Sequence, residues 1–122
     1  MVDDGVIRVL LVEDHGAFRQ ALGFMLRREP DISLVGQAGT IAEARTMLEG
    51  VDVVILDLNL PDGDGAELIP AIRAHNPQAH ILVLTGTAGG GTLDGVTEAL
   101  QKSAGMAEIV AAVHRVGGGG SA

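Results

Sequence analysis

The sequence predicts an α/β fold: a doubly wound sheet of five parallel strands with helices on both faces. Three observations carry this. Short apolar, largely β-branched runs recur at 6–12, 53–56 and 81–84, with no polar alternation, as in strands buried on both faces. Segments with helical spacing separate them, and strand–helix alternation is the pattern of a parallel sheet. Each run also stops at polar residues, first Glu13-Asp14, then Asp57, then Thr85. At 122 residues the chain makes one domain, large enough to bury a core without disulfide or metal staples.

Val6–Val12 (VIRVLLV), broken only by Arg8, is the first strand. Gly16–Glu29 reads as a helix with Phe18, Leu22, Met25 and Leu26 on one face. Arg19, Gln20, Arg27 and Arg28 fall largely on others, and Pro30 closes it. Both phenylalanines and Met25 are read as core. Ile32–Gln37 is a short strand. Thr40 and Glu43 have capping-box spacing and open a helix through Leu48, with Ile41, Ala44 and Leu48 inward. Gly50 ends it.

The stretch VDVVILDLNLPDGDG (51–65) supplies the central strand, which leaves the sheet at Asp57. Turn chemistry follows at Asn59, Pro61, Asp62, Gly63, Asp64 and Gly65. Ala66–His75 is helical, with Pro70 tolerable only near the first turn, and Asn76-Pro77 stops it. His80–Thr85 is the fourth strand. His75 and His80 are read as surface residues, because neither has a His or Cys at ligand spacing.

Gly89, Gly90 and Gly91 then disfavour a regular helix by roughly 3 kcal/mol, which predicts a loop. Leu93–Lys102 admits two readings: Leu93, Val96 and Leu100 have helical spacing, yet the sheet needs a fifth strand. Thr97–Gln101 is the place for it, and the strand is preferred. Met106–Val116 is the last helix, with Met106, Ile109, Val113 and Val116 inward. The domain therefore spans 1–116, and 117–122 is expected to be a flexible glycine-rich tail or linker.

Composition narrows the function. The formal charge is −8 and the only aromatics are Phe18 and Phe24. Neither suits a grip on nucleic-acid phosphates or a stacking platform for bases. Without cysteine there is no thiolate chemistry. No run approaches the ~20 apolar residues of a membrane span, and MVDDGVIRV lacks the basic flank of a signal peptide, so a cytoplasmic protein is expected. The glycines at 89–91 are not followed by the lysine of a phosphate-cradling nucleotide loop.

In a parallel sheet of order 2-1-3-4-5 the first, third and fourth strands are neighbours, and their carboxyl ends lie on one edge, where ligands bind in such folds. Glu13, Asp14 and Asp57 then come within a few ångströms of one another. Taken singly, Asp57 is an ordinary turn residue, Glu13-Asp14 an acidic pair at a helix start, and Lys102 a solvated lysine. Three acids, the Thr85 hydroxyl and the sole lysine of the chain at strand ends make a far less ordinary set. Unpaired, the carboxylates repel, and a hard divalent ion with oxygen ligands, Mg²⁺ foremost, would relieve them.

These residues, Glu13-Asp14, the LDLNLPDGDG segment around Asp57, the LTGT segment with Thr85, and Lys102 before the last helix, resemble the receiver domain of bacterial two-component response regulators. The resemblance covers the whole chain and implies a flavodoxin-like fold. The run EDHGAFRQALGFMLRREPDISLVGQAGT further resembles receivers that precede a helix-turn-helix (LuxR-type) DNA-binding domain. The resemblance implies that Asp57 accepts a phosphoryl group from a sensor histidine kinase. It assigns Mg²⁺ to Glu13, Asp14, Asp57 and the Asn59 carbonyl, a phosphoryl oxygen to Thr85, and the acceptor carboxylate and then the phosphate to Lys102. Gly86 would leave room for the phosphate, and Asn59 and Thr87 would set hydrolysis. Transcriptional control through an attached or separate effector is the implied output, without nucleic-acid or membrane binding by this domain, and a homodimer is an assembly the resemblance admits.

Two features depart from the family. Thr85 and Lys102 are only 17 positions apart, with glycines where the family has its fourth helix. Ala99 stands where the family commonly has a Tyr or Phe switch. The readout is therefore expected to run through 86–96 or through the first and last helices. These departures favour, as a second reading, an interaction domain independent of phosphorylation. An aspartyl-nucleophile phosphatase would want Asp where Asn59 stands.

Overall fold

The computed structural model describes residues 5–86 and 95–118. Seven strands occur among them: β1 (Ile7–Val12), β2 (Ile32–Ala38), β3 (Val53–Asp57), β4 (Asn59–Leu60), β5 (Gly63–Asp64), β6 (His80–Thr85) and β7 (Glu98–Gln101). Five make a parallel sheet in the order β2-β1-β3-β6-β7, while β4 and β5 form a separate antiparallel hairpin. Counting sheet strands alone, this is the expected 2-1-3-4-5.

The helices are α1 (Gly16–Arg27), α2 (Ile41–Arg45), α3 (Leu68–His75) and α4 (Met106–Gly117). Side chains alternate along each strand, so each central strand feeds two cores. Val9, Leu11, Ile55, Leu82 and Leu84 pack with Leu22 and Leu26 of α1 and with Ile109 and Val113 of α4. Leu10, Val12, Val54, Leu56 and Val83 pack with Ile41 and Ala44 of α2 and with Leu68 and Ile72 of α3. A continuous apolar run therefore marks a strand with a helix layer on either side.

Several boundaries differ from the sequence reading for local reasons. The first helix stops at Arg27, and Arg28 and Glu29 close it by donating to the Met25 and Leu26 carbonyls at 3.3 and 3.1 Å. Phe24 is not core. It is 61% exposed, because at about 100° per residue it lies on the far side of the helix from the Leu22–Leu26 stripe. The Arg28 guanidinium lies 5.7 Å from its ring centroid instead.

The second helix ends at Arg45, not Leu48. The Thr46 hydroxyl takes the Glu43 carbonyl at 2.8 Å, a competition typical of Thr and Ser. Thr40 caps this helix as expected, accepting from the Glu43 amide at 3.0 Å. The Glu43 carboxylate reaches one residue beyond the usual box, to the Gly39 amide at 2.8 Å.

The helix expected from Ala66 begins as a 3₁₀ turn (Gly65–Glu67) before α3. Pro70 is the third residue of α3, in its first turn, where a missing N–H costs little. The fifth strand is β7, beginning at Glu98. The last helix continues through Gly117, whose backbone packs so closely that a Cβ there would lie 2.8 Å from Ile7 Cγ2. The expected glycine loop with Thr87 and Leu93, and residues 119–122, lie outside the described residues.

Two surface carboxylates fasten these layers. Asp62, in the β4–β5 turn, accepts from the Ile41 and Ala42 amides at 2.9 and 3.1 Å. The Ile41 bond foremost holds its carboxyl below the usual range. Asp31 is lowered chiefly by its hydrogen bond with His114. A carboxyl with a depressed folded-state pKa stabilises above its unfolded value, about 3.9 for Asp, and that contribution is lost as the pH falls through the folded value. Urea midpoints should therefore decline below about pH 4, and Asp62→Asn should flatten that limb. An acid limb unchanged by the substitution would show that Asp62 fastens nothing.

Candidate functional site

Register places the site. Val12 is paired with Leu56 across β1 and β3, so the next residues, Glu13 and Asp57, emerge side by side at the carboxyl edge of the sheet. The Glu13 amide extends the ladder to the Ala38 carbonyl at 2.9 Å. Glu13 is 0% and Asp57 1% exposed, and they are the buried charged residues among those described. Lys102 opens a 3₁₀ turn (Lys102–Ala104) directly after β7. Its Nζ donates to Glu13 Oε2 and to Asp57 Oδ2, each at 3.0 Å.

Backbone donors complete the cradle. The Asn59 amide donates to Asp57 Oδ1 at 3.0 Å, and the His15 amide to Glu13 Oε2 at 3.0 Å. Carboxylate oxygens of Glu13, Asp14 and Asp57 lie within 4.8 Å of one another. Three carboxylates against one ammonium leave two uncompensated negative charges when all are ionised. Burial, the main cause, raises the Glu13 pKa, opposed by its bonds from Lys102 and the His15 amide. Burial alone would lower Lys102, but its hydrogen bonds to Asp57 and Glu13 outweigh that and raise it.

Glu13 Oε1 is buried with no hydrogen-bond partner, which among the described residues holds for no other buried side-chain oxygen or nitrogen. An orphaned carboxylate oxygen is costly. Beside it stand two further carboxylates, and among the described residues no histidine or cysteine joins them in the cluster. This all-oxygen donor set with surplus negative charge fits a hard divalent cation such as Mg²⁺.

The remaining site candidates lie around this centre. Asp14 is exposed at its rim, and Asn59 is exposed on the β4–β5 hairpin. Thr85 is half-buried at the end of β6, one residue past Leu84, the register partner of Asp57. A Cβ at Gly86 would meet nothing within 4 Å, so no existing contact demands glycine there. Asp62 and Asp64 belong elsewhere, as caps: Asp64 Oδ1 accepts from the Ala66 amide at 2.9 Å. Ala99 is exposed on β7.

Three residues that support the site went unassigned in the sequence. The Phe18 ring centroid lies 5.4 Å from Lys102 Nζ, a cation–π approach. Periodicity marks Phe18 only as inward-facing. Arg19 Nη1 donates to the Glu13 carbonyl at 2.7 Å, pinning the β1–α1 loop, though helical spacing alone places it on an outer face. Gly65 donates to the Leu58 carbonyl at 2.8 Å, and a Cβ on it would collide with the Asp57 carbonyl oxygen and lie 3.0 Å from Leu58 Cα. Turn composition hints at that glycine without naming the contact.

Fold and pocket together define a doubly wound α/β protein with an anionic, oxygen-lined pocket at the carboxyl ends of its central strands. The chain belongs to the response regulator receiver domain family, which matches residues 9–114. It is 38% identical over 82 residues to the DNA-binding transcriptional activator DevR/DosR of Mycobacterium tuberculosis, covering 66% of this chain and 38% of that protein. A LuxR-family response regulator from Aurantimonas superposes with a TM-score of 0.79 at 28% identity, covering 93% of this chain and 86% of that one. A Burkholderia pseudomallei response regulator with a phosphorylated aspartic acid, calcium ion and citrate superposes at 0.74, with 29% identity, 90% of this chain and 68% of that one covered. The chain spans 22–50% of the length of curated relatives it matches.

Two outcomes follow. Gly65→Ala should cost about 1–3 kcal/mol in urea unfolding and shift the Asp57 amide resonance, and a neutral substitution would refute the close approach. Glu13 has a raised folded-state pKa, so its stabilising share is present at low pH and lost as the pH rises through that value. Glu13→Gln should therefore unfold at higher urea than the parent at neutral pH without divalent ions, and gain less from added Mg²⁺. The reverse order in either comparison would contradict the pocket's charge balance.

Proposed function

We propose that this receiver domain is a phosphorylation-controlled signalling switch whose acceptor is Asp57. The carrying observation is the buried Asp57 carboxylate, held by Lys102 on one oxygen and the Asn59 amide on the other, beside a carboxylate oxygen with no partner. The solved relative with a phosphorylated aspartic acid supports the same chemistry on this scaffold. The donor proposed is a phosphohistidine of a sensor histidine kinase, in the cytoplasm. Among the described residues no helix is long and apolar enough to cross a membrane.

In the transfer, an Asp57 carboxylate oxygen bonds to phosphorus as the bond to the donor imidazole nitrogen breaks. This chemistry needs alignment and charge cancellation more than covalent help. Glu13, Asp14, Asp57 and the Asn59 carbonyl would hold Mg²⁺, which when bound would cancel charge on the phosphoryl oxygens. Lys102, already on Asp57, moves with its ammonium onto a phosphoryl oxygen, and the Thr85 hydroxyl donates to another. Losing its Asp57 contact changes how Lys102 ties β7 to β1 and β3. That link leads from pocket to surface. The output proposed is transcriptional control through an effector, as in the activator that it resembles.

Incubation with a small phosphodonor and Mg²⁺ should add one phosphoryl group to the chain by intact mass. Asp57→Asn should abolish labelling, and Lys102→Ala should slow it on the order of 100-fold or more, as for loss of one preorganised charge-stabilising group. Labelling that survives Asp57→Asn would refute Asp57 as acceptor. Labelling with no change in amide shifts beyond the pocket would favour the interaction domain independent of phosphorylation.

A further inference from the structure

The opposite, amino-terminal edge of the sheet carries a second cluster. Glu29 and Asp31 flank Pro30 in the turn between α1 and β2, and His114 comes from the last turn of α4. His114 Nε2 lies 2.9 Å from Asp31 Oδ1 and 3.5 Å from Glu29 Oε1, and one ligand atom from each residue lies within 4.8 Å of the others. We propose that Glu29, Asp31 and His114 form a second metal site, for a borderline divalent ion of the Zn²⁺ class.

Geometry, charge and donor type agree on it. Ligands of a tetrahedral Zn²⁺ at about 2.0–2.1 Å stand roughly 3.3–3.4 Å apart, and the two separations from Nε2 bracket that value. Two carboxylates with a neutral imidazole offer the two negative charges that a dication neutralises. An imidazole ligand favours Zn²⁺ and its neighbours over Mg²⁺ or Ca²⁺, so this site and the all-oxygen pocket at the other edge select different ions. The three side chains line one open surface pocket with Pro30 and Gly118, which leaves a face for a water ligand, as in three-ligand zinc sites.

The ligands also sit on fixed backbone. The Asp31 carbonyl accepts from the Ile7 amide at 2.8 Å, the Glu29 carbonyl from Ile32 at 3.1 Å, and the His114 carbonyl from Gly118 at 2.9 Å. A bound ion would clamp the last turn of α4 to the α1–β2 turn. The competing account is a plain His114–Asp31 ion pair with no ion.

The test is a Zn²⁺ titration of the intact chain with Mg²⁺ in excess, read by calorimetry and by the ¹⁵N resonances of the His114 ring. One equivalent should bind and shift the His114 ring. His114→Gln and Glu29→Gln should each weaken binding more than about tenfold, by removal of one of three ligands, with amide dispersion confirming the fold. Asp57→Asn should leave Zn²⁺ binding intact. Binding that persists in both Gln variants, binding lost with Asp57→Asn, or an unmoved His114 ring would overturn the site and leave only the ion pair. Because neither arm reads phosphorylation, failure here leaves the Asp57 reading untouched, and the reverse also holds.

Discussion

Lys102 holds two buried carboxylates together, and much else in the domain serves that contact. Glu13 and Asp57 are adjacent because β1 and β3 pair in register, and both are removed from water. Two like charges in that position would drive protonation or local opening. One ammonium, 3.0 Å from each, makes the arrangement tenable without cancelling it. The remainder, one orphaned oxygen and surplus negative charge, is what fits the pocket to the cation and phosphoryl group proposed for it.

The supporting parts explain why the contact is held so closely. Phe18 presents its ring to the ammonium, Arg19 fixes the carbonyl of Glu13, and Gly65 lets the β4–β5 hairpin fold back onto the Asp57 backbone. Asp62 ties that hairpin to α2. Asp57 is thus braced from both helix layers, and a change at it has routes to α1, α2 and β7.

Much of this was legible in the residues. The strands could be read because their residues face two cores at once, and Glu13, Asp14, Asp57 and Lys102 could be gathered because strand ends in a parallel sheet share an edge. What could not be read depended on rotation and local competition. Phe24 looks as apolar as Phe18, but helix phase sends one to solvent and the other to Lys102. The second helix has a good capping signature, yet the Thr46 hydroxyl ends it early. Gly65 is one turn glycine among several, and only the folded hairpin shows that the Asp57 backbone excludes a side chain there. The Glu29–Asp31–His114 cluster joins residues 83 positions apart, with no spacing to betray it.

The two edges of the sheet thus differ in chemistry: oxygen donors around a part-buried ammonium at one, a mixed oxygen and nitrogen set in an open pocket at the other. The central claim concerns the first. Anomalous diffraction from crystals equilibrated with Mn²⁺, a hard dication that scatters where Mg²⁺ does not, tests it most directly. The account predicts a peak in contact with Glu13, Asp14 and Asp57 oxygens while Lys102 keeps its bond to Asp57. A fully occupied ion elsewhere, with Glu13 Oε1 still facing protein alone, would contradict it.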